Sequence, residues 1–359
     1  GTRASLRSFF IVTFPLATNF WVGHPSPDNR WREVHLVGTI APGKSCALES
    51  ICLSTSFLPA GKPLSHEHLQ RLPEFSVRSY ELSEPVAAED LRELGSALRS
   101  AERNICNLHF PLPRPGRSRS RGVPTAPLSP ASPDAEERRQ ALAALQDTLE
   151  WAARLETRVV VLDCGHVDIP YPEARIHELF QQGRWLSQGK EIVRQLSARR
   201  RQSASRHCDA LCLFLDKILL HAVRLEICIA MRNPCHPHGL PNADEFALLL
   251  QEFRGAPLGT WYDIGHAYLQ ETLGFETQGQ LQEAMAPGYS GWHIHDAQGL
   301  TLGLPPGRGE LPLKDLLQTA PVNIPWVMKC SPVDSSLGSL ATGSLATGLE
   351  HLASLRRNS

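Results

Sequence analysis

A closed barrel of eight parallel strands, each followed by a helix, is the fold class this sequence predicts. It is expected as a single α/β domain, a (β/α)8 barrel behind an irregular N-terminal extension. Three observations carry that expectation. Short apolar or β-branched runs recur eight times; amphipathic helical patterns lie between them; and no G-x-G-x-x-G follows the first run, which argues against an open doubly wound sheet. Parallel neighbours need long crossovers, and a right-handed helix supplies them.

Residues 1–48 lack this rhythm and are read as the extension. Its apolar run FFIVTFPLA follows two arginines, yet no small-residue cleavage site follows it, so it is not read as a signal segment. The barrel is expected over residues 49–332. Its runs are ESICLSTSF, SVRSYELS, NICNLHFPL, TRVVVLDCG, RLEICIAMRN, PLGTWYDIG, GWHIHDA and IPWVMKC, in that order.

Between the third and fourth runs, residues 134–156 repeat Leu142, Leu145, Leu149 and Ala152 along one helical side, with Asp134 as N-cap. After the fifth, residues 242–253 place Phe246, Leu249, Leu250 and Phe253 on one face, and Asn242 with Glu245 forms a capping box. The acidic pair Asp244 and Glu245 therefore belongs to helix capping. Two segments interrupt the pattern and are read as insertions: the Pro-, Ser- and Arg-rich stretch 114–133, and the polar stretch 180–207 with arginines at 199–201. That basic run reads first as a solvated helix face, with phosphate or nucleic-acid contact the lesser reading. Residues 333–359 are expected to be a tail, with SLATG repeated as spacing before a short helix.

Composition excludes several classes. A chain of 359 residues with net charge -1 gives no electrostatic reason to bind a polyanion, so nucleic acid is not an expected partner. No apolar run is long enough to span a membrane. Nine cysteines without close pairing point to free thiols and a cytoplasmic setting. Oligomeric state is not legible.

In such a barrel, chemistry gathers where the strands end. Reading those ends gives His109, Asp163, Arg232, Asp263 with His266, His293 with His295 and Asp296, and Lys329. Asp263 and His266, three apart at a strand-to-helix turn, can face one cavity, and His293 and His295 share one side of their strand. Asp and His suit a borderline divalent ion. Other groups carry weaker signals. Cys235, His236 and His238 have proline-broken spacing that is poor for chelation. Cys164 and His166, as a nucleophile and base, sit on positions that diverge. His66 and His68 read as an exposed helix start.

The motifs DIGHAYL, WHIHDAQG, SYELSEP with Glu81, LSTSFLPAGKPLS and LPPGRGELPLKDLL together resemble the xylose isomerase-like barrels, over about residues 48–332. That family comprises sugar and sugar-phosphate isomerases and epimerases together with the second family of apurinic endonucleases. The resemblance implies a divalent ion (Mn, Zn, Co or Mg) held by Glu, Asp, His and Glu on the fifth to eighth strands, polarising a sugar carbonyl while a carboxylate moves a proton. Carried over residue by residue, Asp263 and His293 take metal-ligand positions. The two Glu positions hold Arg232, in IAMRN, and Lys329, in VMKC; Asp163 stands where His is common, and Leu302 and Gly303 stand where an Asp-His pair is common. Arg232, Lys329 and His266 are then the candidate catalytic groups, and His109, Asp163, His295 and Asp296 the substrate contacts.

Two carboxylates exchanged for two cations shift the local charge by about four units, which opposes a dication in a low-dielectric pocket. The expected function is a sugar or sugar-phosphate isomerase/epimerase-like barrel whose metal chemistry is impaired. A non-catalytic sugar- or partner-binding barrel is the alternative, and an apurinic endonuclease-like phosphodiesterase the second.

Overall fold

The computed structural model describes residues 51–57, 77–83, 88–100, 102–112, 128–331 and 339–357, with two short pieces at 24–25 and 31–32. Most of the 1–48 extension, His66, His68 and residues 114–127 lie outside them. Eight parallel strands close on themselves: β1 Ile51–Ser54, β2 Ser79–Leu82, β3 Asn104–His109, β4 Val159–Leu162, β5 Cys228–Arg232, β6 Leu258–Asp263, β7 Tyr289–Ile294 and β8 Trp326–Met328, with β8 pairing both β7 and β1. The helices are α1 Ala88–Ser100, α2 Ala135–Arg154, α3 Glu173–Gln181, α4 Trp185–Leu225, α5 Ala243–Glu252, α6 Ile264–Leu273, α7 Gln278–Met285, α8 Leu313–Leu317 and α9 Ser339–Arg357.

Alternation along each strand sorts side chains into two cores. Outward residues such as Leu53, Tyr80, Val160, Ile229, Tyr262, Trp292 and Trp326 pack beneath the helices. Inward residues Cys52, Val159, Val161, Ala230, Trp261 and Val327 fill the barrel axis as an apolar floor. Two β-bulges set the phase: Cys106 is extra between Ile105 and Asn107 on β3, and Ser290 is extra between Tyr289 and Gly291 on β7.

Gly291 has a steric reason to lack a side chain, since a Cβ there would lie 2.2 Å from the Trp261 ring. Gly291→Ala should displace that buried indole and lower stability by about 1–3 kcal/mol, the range for overpacked cores. Urea unfolding measures this, and a change within about 0.5 kcal/mol would show that the floor adapts.

Capping matches the sequence at both expected positions. Asp134 accepts from the Glu136 and Glu137 amides, and Asn242 and Glu245 form the full capping box. Residues 180–207 correct the expectation of a polar insertion, because from Trp185 onward they form the first part of the 41-residue α4. The middle arginine of the basic run explains the difference. Arg200 is buried, donates to both Glu245 carboxylate oxygens at 2.8 and 2.7 Å and to the Gly239 carbonyl at 2.8 Å, and so fastens α4 to the start of α5. Arg201 is solvated.

The expected tail is also corrected. Both SLATG repeats lie within α9, where Leu345, Leu349 and Leu352 are buried and Arg356 stacks 4.4 Å from the Trp326 ring of β8. Among the described residues no helix is long and apolar enough to cross a membrane, and the eight cysteines are free.

Candidate active site

Above the apolar floor the same inward phase continues by one more residue on every strand. Ser54, Glu81, His109, Asp163, Arg232, Asp263, His293 and Lys329 form a polar ring, one from each strand end in turn. The Cys106 bulge also turns Asn107 into it.

Glu81 and Asp263 organise the ring from opposite sides. Glu81 is fully buried and accepts from the Ser54 hydroxyl at 2.7 Å, the Asn107 amide at 2.6 Å and His293 Nε2 at 2.5 Å. Burial raises its pKa, but the facing His293, with Lys329 beyond it, pulls the carboxyl well below the ordinary range. His293 bridges onward, its Nδ1 lying 3.3 Å from Asp263 Oδ2, so a carboxylate faces each ring nitrogen.

Asp263 is the hub. Its Oδ1 accepts from the His266 amide at 3.1 Å and from His295 Nε2 at 3.0 Å. Its Oδ2 meets His293 and, at 3.5 Å, Arg232 Nη1. Burial opposes the charge, yet the imidazoles of His266, His295 and His293 hold this carboxyl well below its usual value. Asn233 straps β5 to β6 by accepting from the Asp263 amide at 2.6 Å and donating to the Asp263 carbonyl at 3.0 Å.

Partners fix two tautomers. The Gly303 amide donates to His295 Nδ1 at 2.9 Å, closer than the Asp296 carbonyl at 3.2 Å, which favours the tautomer with the proton on Nε2, facing Asp263. The Asn233 carbonyl accepts from His266 Nδ1 at 2.9 Å, leaving Nε2 unprotonated, 3.7 Å from Asp263 Oδ2. His295 also packs against Gly265, where a Cβ would fall 1.9 Å from the ring. Both of its nitrogens are committed, so His295 supports Asp263 and is not open to a ligand.

Arg232 clamps Asp163, with Nε to Oδ1 and Nη2 to Oδ2 both at 2.8 Å. The Arg232 guanidinium drives the pKa of the half-exposed Asp163 carboxyl down. Lys329 differs: among the described residues its ammonium has no hydrogen-bond or ion-pair partner. Burial, then the Arg232 charge, lowers its pKa, while Glu81, Asp263 and Asp163 oppose that. His109 lies 3.9 Å from Asp163 and stacks 6.0 Å from His293; its Nδ1 donates to the Phe110 carbonyl at 3.2 Å, and its buried Nε2 is unpartnered.

Asp296 is a correction to the expected substrate contacts. Its carboxylate accepts from the amides of Ala297, Gly307 and Leu311 at 2.9–3.0 Å, which shapes the proline- and glycine-rich turn and leaves nothing directed into the ring. Reading strand ends misses Glu81, Asn107, Ser54 and Asn233 as site residues; the signal for Glu81 is its place in the motif SYELSEP. Cys164 and His166 do not pair: burial pushes the Cys164 thiol up, and His166 packs edge-on against His238. His236 and His238 stack on each other and on Tyr171. A groove of about 1240 Å³ lined by Arg201, Asp244 and Gln280 lies outside the barrel, between α4, α5 and α7, and shares no residue with the ring.

The ring does not fit a divalent ion. Both oxygens of Asp263 are occupied by donors, both nitrogens of His293 face carboxylates, and Arg232 and Lys329 stand where carboxylate ligands would be needed.

Acid should unfold the protein through the buried imidazoles. Burial and neighbouring cations hold His109 and His266 to about 3. An unfolded histidine takes up its proton near pH ~6.5, so between about pH 6.5 and 3 the unfolded state binds more protons and stability falls as pH falls. Each ring contributes roughly 1.4 kcal/mol per pH unit within that window. Below the ordinary carboxylate range, Glu81 and Asp263 act in the same direction. Urea unfolding at pH 7 to 4 should show this slope, with a shallower one for His109→Gln; a flat profile from pH 7 to 5 would contradict it.

A family model described as a xylose isomerase-like TIM barrel matches residues 70–320. No curated protein matches the sequence. Among solved structures, a D-tagatose 3-epimerase-like protein superposes with TM-score 0.58 at 18% identity, covering 86% of this chain and 99% of its own. A putative xylose isomerase from Rhodospirillum rubrum gives 0.59 at 14% identity, covering 85% and 99%. The 3-keto-D-glucoside 4-epimerase YcjR from E. coli gives 0.58 at 13%, covering 86% and 99%. These are likenesses of fold.

Proposed function

The chain belongs to the xylose isomerase-like TIM barrels, and from that premise we propose that its polar ring binds a small sugar or sugar phosphate without a divalent ion. The observation that carries the reading is the pair of cations in the ring, one clamped and one unpartnered among the described residues. A cation without an internal partner in a half-buried site is suited to an oxygen-rich or anionic ligand. The names of the structural neighbours, epimerases of tagatose and keto-glucoside type, support a ligand of sugar size.

Metal-assisted enediol chemistry and metal-dependent phosphodiester cleavage lack support for the same reason: the donors they need are Arg232 and Lys329 here, and the carboxylates that remain are hydrogen-bonded. The first role of the ring is therefore recognition.

Isothermal titration in EDTA tests the reading with a panel of small aldoses, ketoses and their phosphates. A phosphate ester should bind, and Arg232→Gln or Lys329→Met should weaken it by about tenfold or more, roughly 1.4 kcal/mol. Binding that needs added Mn2+, or no binding across the panel, would overturn it.

A further inference from the structure

We propose that Lys329 is a covalent group: its Nζ adds to the carbonyl carbon of an open-chain sugar held in the ring and forms an imine. This rests on the sugar-binding reading above and goes beyond it in naming a bond.

Position comes first. Val327 belongs to the apolar floor, so Lys329, two residues further along the same strand line, projects above that floor into the ring. The two cations are held differently. Arg232 is fixed by a bidentate carboxylate, whereas the Lys329 amine has no partner among the described residues. A half-buried ammonium with no internal partner gives up part of its hydration, which a neutral amine does not. Burial and the Arg232 charge push Lys329 down from its ordinary value, which enlarges the nucleophilic fraction.

The step balances without a co-reactant. The amine lone pair forms the N–C bond while the carbonyl π pair moves to oxygen, and a proton passes from nitrogen to that oxygen to give a carbinolamine. The hydroxyl takes a proton from solvent and leaves as water while the nitrogen lone pair forms the C=N bond, giving a protonated imine. That cation draws electrons from the neighbouring carbon, so its C–H proton can leave to a base while the C–H pair becomes the C=C bond of an enamine. His109 Nε2, buried and unpartnered, is one acceptor in the ring with a free lone pair. Reprotonation of carbon and attack of water on the imine return the sugar and the free amine. The polarisation that a metal would give a carbonyl is thus available from the chain's own lysine.

Reductive trapping decides it. The full chain in EDTA is incubated with dihydroxyacetone or dihydroxyacetone phosphate and cyanoborohydride, then read by intact mass and peptide mapping, while binding of the same compounds is titrated in parallel. The chain has six lysines, so the map is simple. The expected result is a reduced adduct concentrated at Lys329, lost in Lys329→Arg, which keeps the charge, and in Lys329→Met. Saturable binding with no adduct, or with label spread evenly over the lysines, overturns the imine and leaves sugar binding standing. Neither binding nor adduct overturns both.

Discussion

Replacing Asp263 with alanine should lower the unfolding free energy by about 3–5 kcal/mol, the loss expected when one partner is removed from a buried charge network. Four donors converge on this carboxylate: the His266 amide, His295, His293 and Arg232. Without it, the His295 proton and the Arg232 Nη1 face no acceptor, and α6 loses its N-cap as well. Asp263→Asn keeps the shape but can accept at only one atom, so its loss should be intermediate. Urea denaturation with an unchanged slope measures both. A loss under about 1 kcal/mol for the alanine variant would mean that the network rearranges around the gap and that Asp263 is no hub.

Restoring carboxylates at the two exchanged positions should restore metal dependence. The double variant Arg232→Glu with Lys329→Glu adds two carboxylates to a ring that already holds Asp163, Asp263 and Glu81, and in EDTA that concentration of negative charge should make it markedly less stable than the parent. Mn2+ at roughly a hundredfold excess over its Kd should return about 2.7 kcal/mol, read as a rise in melting temperature and as stoichiometric metal after gel filtration. The parent should respond to neither EDTA nor Mn2+. If the double variant binds no more metal than the parent, the exchanged residues are not what separates this ring from a metal site.

Much of the barrel is legible in the sequence because its signals are local. Eight apolar runs mark strands, and capping residues such as Asp134 and the Asn242–Glu245 box mark helix starts within a few residues of themselves. Strand ends likewise point to the ring, since in this architecture the last inward residue of a strand faces the mouth. What is not legible depends on partners far away in the chain. Glu81 and His293 are 212 residues apart, and nothing near either announces the bond. The bulges at Cys106 and Ser290 shift the phase of their strands, so simple alternation from the strand start assigns Asn107 and His293 to the wrong side. Residues 180–207 look like a polar insertion until Arg200 meets Glu245, 45 residues on. Asp296 looks like a ligand-facing acid until the amides of Gly307 and Leu311 claim it.

The packed floor of Cys52, Val159, Val161, Ala230, Trp261 and Val327 has a kinetic corollary. With the axis plugged from below, the chamber is a cul-de-sac: whatever arrives must leave by the door it came through. Two molecules that need the same opening exclude each other, so ligands of the ring should displace one another in a competition titration.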